Sequence, residues 1–243
     1  MGEGKSIVLT EAELLEVFKR PSVREVACEV RFAPRLRVIP EVWRMQDTLA
    51  EMYPQIDEEQ VALTTSRILQ AYVFANQSAG RLIKVSQENL VVIFNRYTTF
   101  EDFKTEALSR IADFSNEFDV GTYQRVGLRY VNNIELPPDE PARALHRFVH
   151  APVDFERIDI DTIEQFMTEF RLKKTGHKLT IRGALIPTPA DARHMLYILD
   201  LDCYSLGPKA ADSLPTLLDV FHRDIQVQFL SHVTEDYKAV MRG

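Results

Sequence analysis

Residues 125–135 read RVGLRYVNNIE and alternate between apolar and polar side chains, which is the period of a β-strand. Leu128 and Tyr130 fall on one side of this strand, and Arg129 falls on the other. Residues 25–32, EVACEVRF, alternate in the same way. If a pseudo-twofold axis relates the two halves of the chain, these two strands pair at the centre of the molecule.

The pattern around each of these strands predicts the same order of elements in both halves. In the first half we expect a helix over 40–53, strands over 69–75, 81–85 and 90–96, and a helix over 100–118 with Thr99 as its N-cap. In the second half we expect a helix over 142–149, strands over 165–174, 179–186 and 195–204, and a helix from about 209. The sequence therefore predicts an α+β protein. We expect its antiparallel sheet to pack against helices and its two halves to be a pseudo-duplication of a β-α-β-β-β-α unit.

The domain organisation follows from the lack of a linker. No Gly/Ser-rich or Pro-rich spacer interrupts the 243 residues, so we expect one unit of two pseudo-repeats, about 22–120 and 121–235. Residues 1–20 are expected to be a partly helical N-terminal extension. The two cysteines lie on apolar strand faces, which argues against a disulfide framework. The sequence shows neither a signal-peptide pattern nor an apolar run of about 20 residues, so the expected location is the cytoplasm, with no membrane contact.

Charge argues against wide contact with nucleic acid, because the chain carries a net charge of −7. Local basic patches keep that possibility open. One surrounds a predicted hairpin tip and consists of Lys173, Lys174, His177, Lys178 and Arg182, and a second consists of Arg31, Arg35 and Arg37. A solvated hairpin turn is the favoured interpretation of the first patch.

No recognisable catalytic motif or phosphate-binding loop occurs, so no catalytic residue and no cofactor are predicted. His146 and His150 are spaced i, i+4 on a predicted helix and could face one metal ion, with Asp154 near in sequence. The glutamate of a His-Glu-x-x-His site is absent, however, and two surface histidines are the favoured interpretation.

Asp200 and Asp202 are the other candidate metal ligands, because alternation places both carboxylates on one strand face. They could hold Mg²⁺ or serve acid-base chemistry. Alternatively, they pair with arginines from a neighbouring strand, and this is the interpretation we favour.

Polar residues on the two central strands form the candidate ligand or partner groove. They are Glu29 and Arg31 on the first strand and Arg129 and Asn133 on the second. Glu29 would lie within reach of Arg125 or Arg129, and we name Arg129 as its expected partner. A buried ion pair that sets the register is favoured over a functional groove.

Four stretches together resemble a known bacterial family of about this length. They are EVACEVRFAP at 25–34, RVGLRYVNNI at 125–134, LDLD at 199–202, and residues 218–234 with His222 and Phe229. The resemblance covers nearly the whole chain, and 125–134 is its most specific part. The family is sporadically distributed and has no assigned activity, so the resemblance implies no catalytic residues. Its distribution implies an association with mobile or defence genes.

Three functions stay open at this point. The first is a non-enzymatic binding or accessory protein with a protein partner, within a bacterial defence or toxin-control system. The second is a small-molecule or nucleotide binder that uses a cavity between the sheet and the C-terminal helix. The third is a metal-dependent nuclease or hydrolase that uses Asp200 and Asp202.

Overall fold

The fold is an α+β arrangement built on one antiparallel sheet. The computed structural model describes residues 10, 14, 16–64, 67–138, 141–150, 163, 166–188 and 194–243. The strands are β1 Val23–Arg31, β2 Gln55–Thr64, β3 Arg67–Asn76, β4 Arg81–Ser86, β5 Asn89–Phe94, β6 Thr122–Glu135, β7 Phe166–Lys173, β8 Lys178–Pro187 and β9 Met195–Ala210. The helices are α1 Trp43–Leu49, α2 Phe100–Phe118, α3 Pro141–Phe148, α4 Leu214–His232 and α5 Glu235–Arg242. Short 3₁₀ turns occupy Leu36–Val38 and Ala211–Ser213.

All nine strands among the described residues belong to one sheet, in the order β2-β3-β4-β5-β1-β6-β9-β8-β7. The two central strands, β1 and β6, pair antiparallel, so the two halves of the chain meet there. In this register Glu29 lies opposite Gly127, and Ala27 lies opposite Arg129. Gly127 in turn lies opposite Tyr204 on β9. This pairing brings charged side chains from both halves onto one face of the sheet.

The other face of the sheet carries the hydrophobic core. Alternate residues of β1 and β6, among them Val26, Cys28 and Leu128, are buried there. Helices α2 and α4 pack on this face through their apolar sides. Thr99 caps α2, since its Oγ1 accepts a hydrogen bond from Asp102 N at 3.1 Å, as the sequence predicts.

Three elements differ from the sequence-based prediction. Strand β2 is not predicted, so the first half contains four strands after its first helix instead of three. Strand β9 continues to Ala210, which moves the start of α4 from about residue 209 to Leu214. Helix α5 is a further element. The pseudo-duplication of a β-α-β-β-β-α unit is not confirmed, because among the described residues the first half has four strands after its first helix and the second half has three.

Some sequence-based predictions lie outside the described residues. They concern most of the N-terminal extension and Asp154. None of the described helices is long and apolar enough to cross a membrane.

Candidate functional site: a cavity between β6 and α4

A cavity of about 510 Å³ lies between the sheet and α4, on the core face of β6. Its walls come from five parts of the chain: the N-terminal segment, the start of α2, β6, α4 and the end of α5. Most of the lining is apolar. The apolar side chains that matter most below are Phe18, Val23, Phe100, Ile225, Phe229 and Met241.

A small polar group lies within this apolar lining. The Tyr130 hydroxyl is 3.1 Å from His222 Nδ1 and 3.4 Å from the Tyr97 hydroxyl. The His222 ring also stacks on Phe100, with 3.8 Å between the ring centroids and 9° between the ring planes. Two hydroxyl groups and one imidazole therefore converge from three different elements on one wall of the cavity.

Burial sets the protonation of this group. Removal from water disfavours the charged form of each side chain, so it lowers the pKa of His222 to about 4 and raises the pKa of Tyr97. Burial also raises the pKa of Tyr130 well above its usual value. All three groups are therefore uncharged at neutral pH. The single hydroxyl proton of Tyr130 is donated to Tyr97, so a neutral His222 carries its proton on Nδ1 and donates it to the Tyr130 oxygen.

Asn132 also contributes a polar side chain to the lining, and its amide already makes hydrogen bonds within the protein. Its Nδ2 donates to Leu199 O at 3.2 Å, and its Oδ1 accepts from Ser22 Oγ at 3.3 Å. The residue is buried, and these bonds join β6 to β9 and to the residue just before β1. Asn132 therefore holds the floor of the cavity in place, and its hydrogen-bonding capacity is largely used by the protein.

The N-terminal segment is attached through contacts with the C-terminal helices. Gln226 Nε2 on α4 donates to Leu14 O. Glu16 accepts two hydrogen bonds from Arg242, at 2.5 and 2.9 Å, and Arg20 N donates to Met241 O at 3.0 Å. Residues near both ends of the described chain thus form one wall of the cavity.

The predicted groove residues lie on the opposite, charged face of the sheet. Arg125 binds Glu29 through Nη1, and its Nη2 lies 3.1 Å from both carboxylate oxygens of Asp202. Its guanidinium carbon is 4.7 Å from the centre of the Tyr204 ring. The guanidinium also passes over Gly127, where a Cβ would lie 2.5 Å from Arg125 Nη1. Glycine at this strand position therefore leaves the space that the ion pairs need.

Arg129 does not pair with Glu29, which corrects the expectation from the sequence. Its Nε and Nη2 donate to the two oxygens of Asp200 at 2.8 and 3.0 Å. Its nearest glutamate contact is with Glu25, at 3.9 Å. In the register of β1 and β6, Glu29 lies opposite Gly127, so Arg125 and Arg129 are diagonal neighbours on either side of it. Arg125 takes the contact because its side chain folds over Gly127.

Asp200 and Asp202 lie on one face of β9, as alternation predicts, and each is engaged by arginine. Asp200 also accepts from Arg182 Nη1 at 3.1 Å, and Arg182 in turn donates to Glu169 at 2.7 Å. Burial raises the pKa of Asp202, although the neighbouring Arg125 opposes this shift. We call Glu29, Arg125, Arg129, Arg182, Asp200 and Asp202 the charged cluster.

The remaining candidates lie apart from the cavity. Arg31 is half exposed and donates to Glu29 at 2.8 Å, and Asn133 is a half-buried residue of β6. His146 lies on α3 and His150 follows that helix, both exposed. Glu29, Arg31, Arg129 and Asn133 therefore share the charged side of the central strands and do not line the cavity.

Comparison with known proteins gives no assignment: no protein-family model matches the chain, and no curated protein matches it significantly.

Two lining residues could have been found from the sequence. Asn132 interrupts the apolar series of β6, where Leu128, Tyr130 and Ile134 are buried, and a polar residue on the core side of a strand indicates a special contact. His222 appears among the residues of the family resemblance. Tyr97 and the N-terminal segment carry no such signal, because only the folded chain brings them to β6.

Proposed function

We propose that this chain is a non-enzymatic binding protein that holds an uncharged, largely apolar small molecule in the cavity between β6 and α4. The observation that carries the proposal is the cavity itself. Its volume of about 510 Å³ falls within the roughly 300–1,000 Å³ of small-molecule sites. Its lining, mainly apolar with a few convergent polar groups, is also the composition typical of such sites.

The chemistry of the lining supports an uncharged ligand. His222 and both tyrosines are neutral at pH 7, so they offer hydrogen bonds without a counter-charge. A charged ligand placed against Phe100, Ile225 and Phe229 would lose its hydration without compensation. A planar or aromatic molecule with one hydrogen-bonding group fits the stacked Phe100 and His222 rings best.

The same geometry favours binding over catalysis. General acid-base catalysis is most efficient when the pKa of the catalytic group lies near the working pH, whereas His222 has a pKa of about 4. The hydrolase alternative is less favoured for a different reason. Asp200 and Asp202 already accept hydrogen bonds from arginines, so a metal ion at these carboxylates would have to displace them.

The proposal is tested with N-phenylnaphthylamine, an uncharged apolar dye that fluoresces when it leaves water. We expect the purified chain to bind it with saturable fluorescence. Val23→Trp should fill the cavity and abolish this signal, because Val23 lines it. Val91→Trp is the matched control: Val91 alternates with the buried Leu90 and Val92 and so lies on the opposite face of the sheet. It should leave dye binding unchanged.

Thermal unfolding of both variants shows whether each is folded. Dye binding that is absent from the parent protein, or that survives in a folded Val23→Trp variant, would contradict the proposal. Native mass spectrometry of the protein as purified then gives the mass of any retained molecule.

The resemblance to a sporadically distributed bacterial family supports a further proposal about context. In it, the protein is a cytoplasmic accessory component of a defence or toxin-control system and acts on a protein partner. Co-purification from the native host tests this proposal separately from ligand binding.

A further inference from the structure

A second cluster of potential ligands lies on the core side of the sheet, away from the cavity. His177 belongs to the turn between β7 and β8, Cys203 lies on β9, and Asp224 lies on α4. One side-chain ligand atom from each residue lies within 4.8 Å of the other two. Cys203 is fully buried, and the other two side chains are largely shielded.

A neutral His177 ring cannot donate to both of its hydrogen-bond partners. Its Nδ1 is 3.1 Å from Thr175 O, and its Nε2 is 2.6 Å from Asp224 Oδ2. Both partners are acceptors, but a neutral imidazole donates from only one nitrogen. Either the ring carries a second proton, or Nε2 and the carboxylate both direct lone pairs toward a cation. A backbone carbonyl at the far nitrogen is the usual arrangement that orients a metal-binding histidine.

The three donors also match one class of metal ion. A thiolate, an imidazole nitrogen and a carboxylate oxygen suit Zn²⁺, whereas Mg²⁺ and Ca²⁺ prefer oxygen ligands. We propose that His177, Cys203 and Asp224 form a Zn²⁺ site that joins the β7–β8 turn to α4, with a fourth position for water or another ligand.

A Zn²⁺ ion would give the Asp224 carboxylate and the Cys203 thiol a common partner beside the core. Burial raises the pKa of the Cys203 thiol, and the nearby Asp224 and Asp202 raise it further, whereas Lys174 lowers it. Binding of Zn²⁺ would release the thiol proton to solvent and would leave a thiolate bonded to the metal. The ring contact of His177 with Phe221, 5.4 Å between centroids, already holds the turn against α4.

The test uses Co²⁺ as a spectroscopic substitute for Zn²⁺ in the whole 243-residue chain. We expect a thiolate-to-cobalt charge-transfer band that Zn²⁺ removes in competition. The band should be lost in Cys203→Ser and kept in Cys28→Ser, which alters the other buried cysteine. His146 and His150 could bind Co²⁺ elsewhere, but they cannot give a thiolate band.

Two conservative variants keep the test valid if Cys203→Ser does not fold. His177→Gln and Asp224→Asn should each weaken or remove the band, because each removes one ligand while keeping a polar side chain of similar size. Zn²⁺ should also raise the melting temperature of the parent and of Cys28→Ser, but not that of His177→Gln. A parent protein without the band, or a band that survives in folded His177→Gln and Asp224→Asn, would overturn the proposal.

Discussion

Replacement of Arg125 by methionine is the sharpest test of the charged cluster. Arg125 lies between two carboxylates on neighbouring strands, and the side chains of all three residues are only about one sixth exposed: 15% for Arg125, 17% for Glu29 and 16% for Asp202. Methionine keeps most of the length of the side chain and removes its charge and donors. Two largely buried carboxylates then lose their main counter-charge.

The burial of these side chains sets the expected loss in the free energy of unfolding. Removal of one member of a buried ion pair costs about 3–5 kcal/mol, whereas an exposed pair contributes at most about 1 kcal/mol. The side chains of Arg125 and its partners are not fully buried, so the lower end applies, roughly 3 kcal/mol. In a chain of this size, 1 kcal/mol shifts the melting temperature by about 2–4 °C. We therefore expect Arg125→Met to lower it by roughly 6–12 °C at pH 7.

The assay is thermal and urea unfolding at pH 7 and pH 5, with Arg31→Met as the matched control. Arg31 contacts the same glutamate, but its side chain is 50% exposed, so its loss should cost no more than about 1 kcal/mol. Without Arg125, the pKa of Asp202 in the folded state rises further above its value in the unfolded chain. The folded variant then takes up a proton first as the pH falls, so its deficit should shrink between pH 7 and pH 5.

Two results would refute this reasoning. The first is an Arg125→Met variant as stable as the parent, which would show that the ion pairs contribute nothing beyond their desolvation cost. The second is a deficit equal at both pH values, which would show that the loss comes from packing on Tyr204 and not from unpaired carboxylates.

The remaining predictions concern Gly127 and the two buried histidines. Gly127→Ala should destabilise the protein, because the new Cβ would displace the Arg125 guanidinium. Gly121→Ala is the control and should not, because no atom lies within 4 Å of its new Cβ. Equal melting temperatures of the two variants would contradict this role of Gly127. Burial lowers the pKa of His222 and His232 to about 4, whereas histidine in the unfolded chain has a pKa of roughly 6.5. Between pH 6.5 and pH 4 the unfolded state therefore binds more protons than the folded state, so the stability of the protein falls as the pH drops through this range. His222→Phe should reduce the decrease in the free energy of unfolding on acidification by up to about 3 kcal/mol. The measurement is the change in melting temperature between pH 7 and pH 4.5, which should be smaller in the variant than in the parent.

Periodicity was sufficient for most strands and failed where the pattern is weak. Strand β2 begins with QIDEEQ and has no apolar alternation, because it is an edge strand whose residues 55–58 are all exposed. Helix α5 has only two buried apolar residues, Tyr237 and Met241, too few to mark a helix. At the end of β9, residues 206–208 are exposed, so nothing in the pattern shows that the strand continues toward α4.

The partners of the central arginines could not be predicted for a geometric reason. Glu29 has Arg125 and Arg129 as diagonal neighbours across the same strand pair, so sequence spacing does not distinguish them. The choice depends on Gly127, which lets Arg125 lie flat across the strand, and on Asp200, which engages Arg129 from the other side. The second condition involves the pairing of β6 with β9, which the sequence alone does not give.

A cavity between the sheet and the C-terminal helix was one of the hypotheses from the sequence, but its lining could not be predicted, because it depends on which helix crosses β6 and on where the N-terminal segment lies. Leu14 and Glu16 of that segment are joined to Gln226 and Arg242 by polar contacts. The opposite wall, by contrast, is β6, held at the centre of the sheet by β1, β9 and the charged cluster. The cavity therefore forms only when contacts between distant parts of the chain bring these walls together.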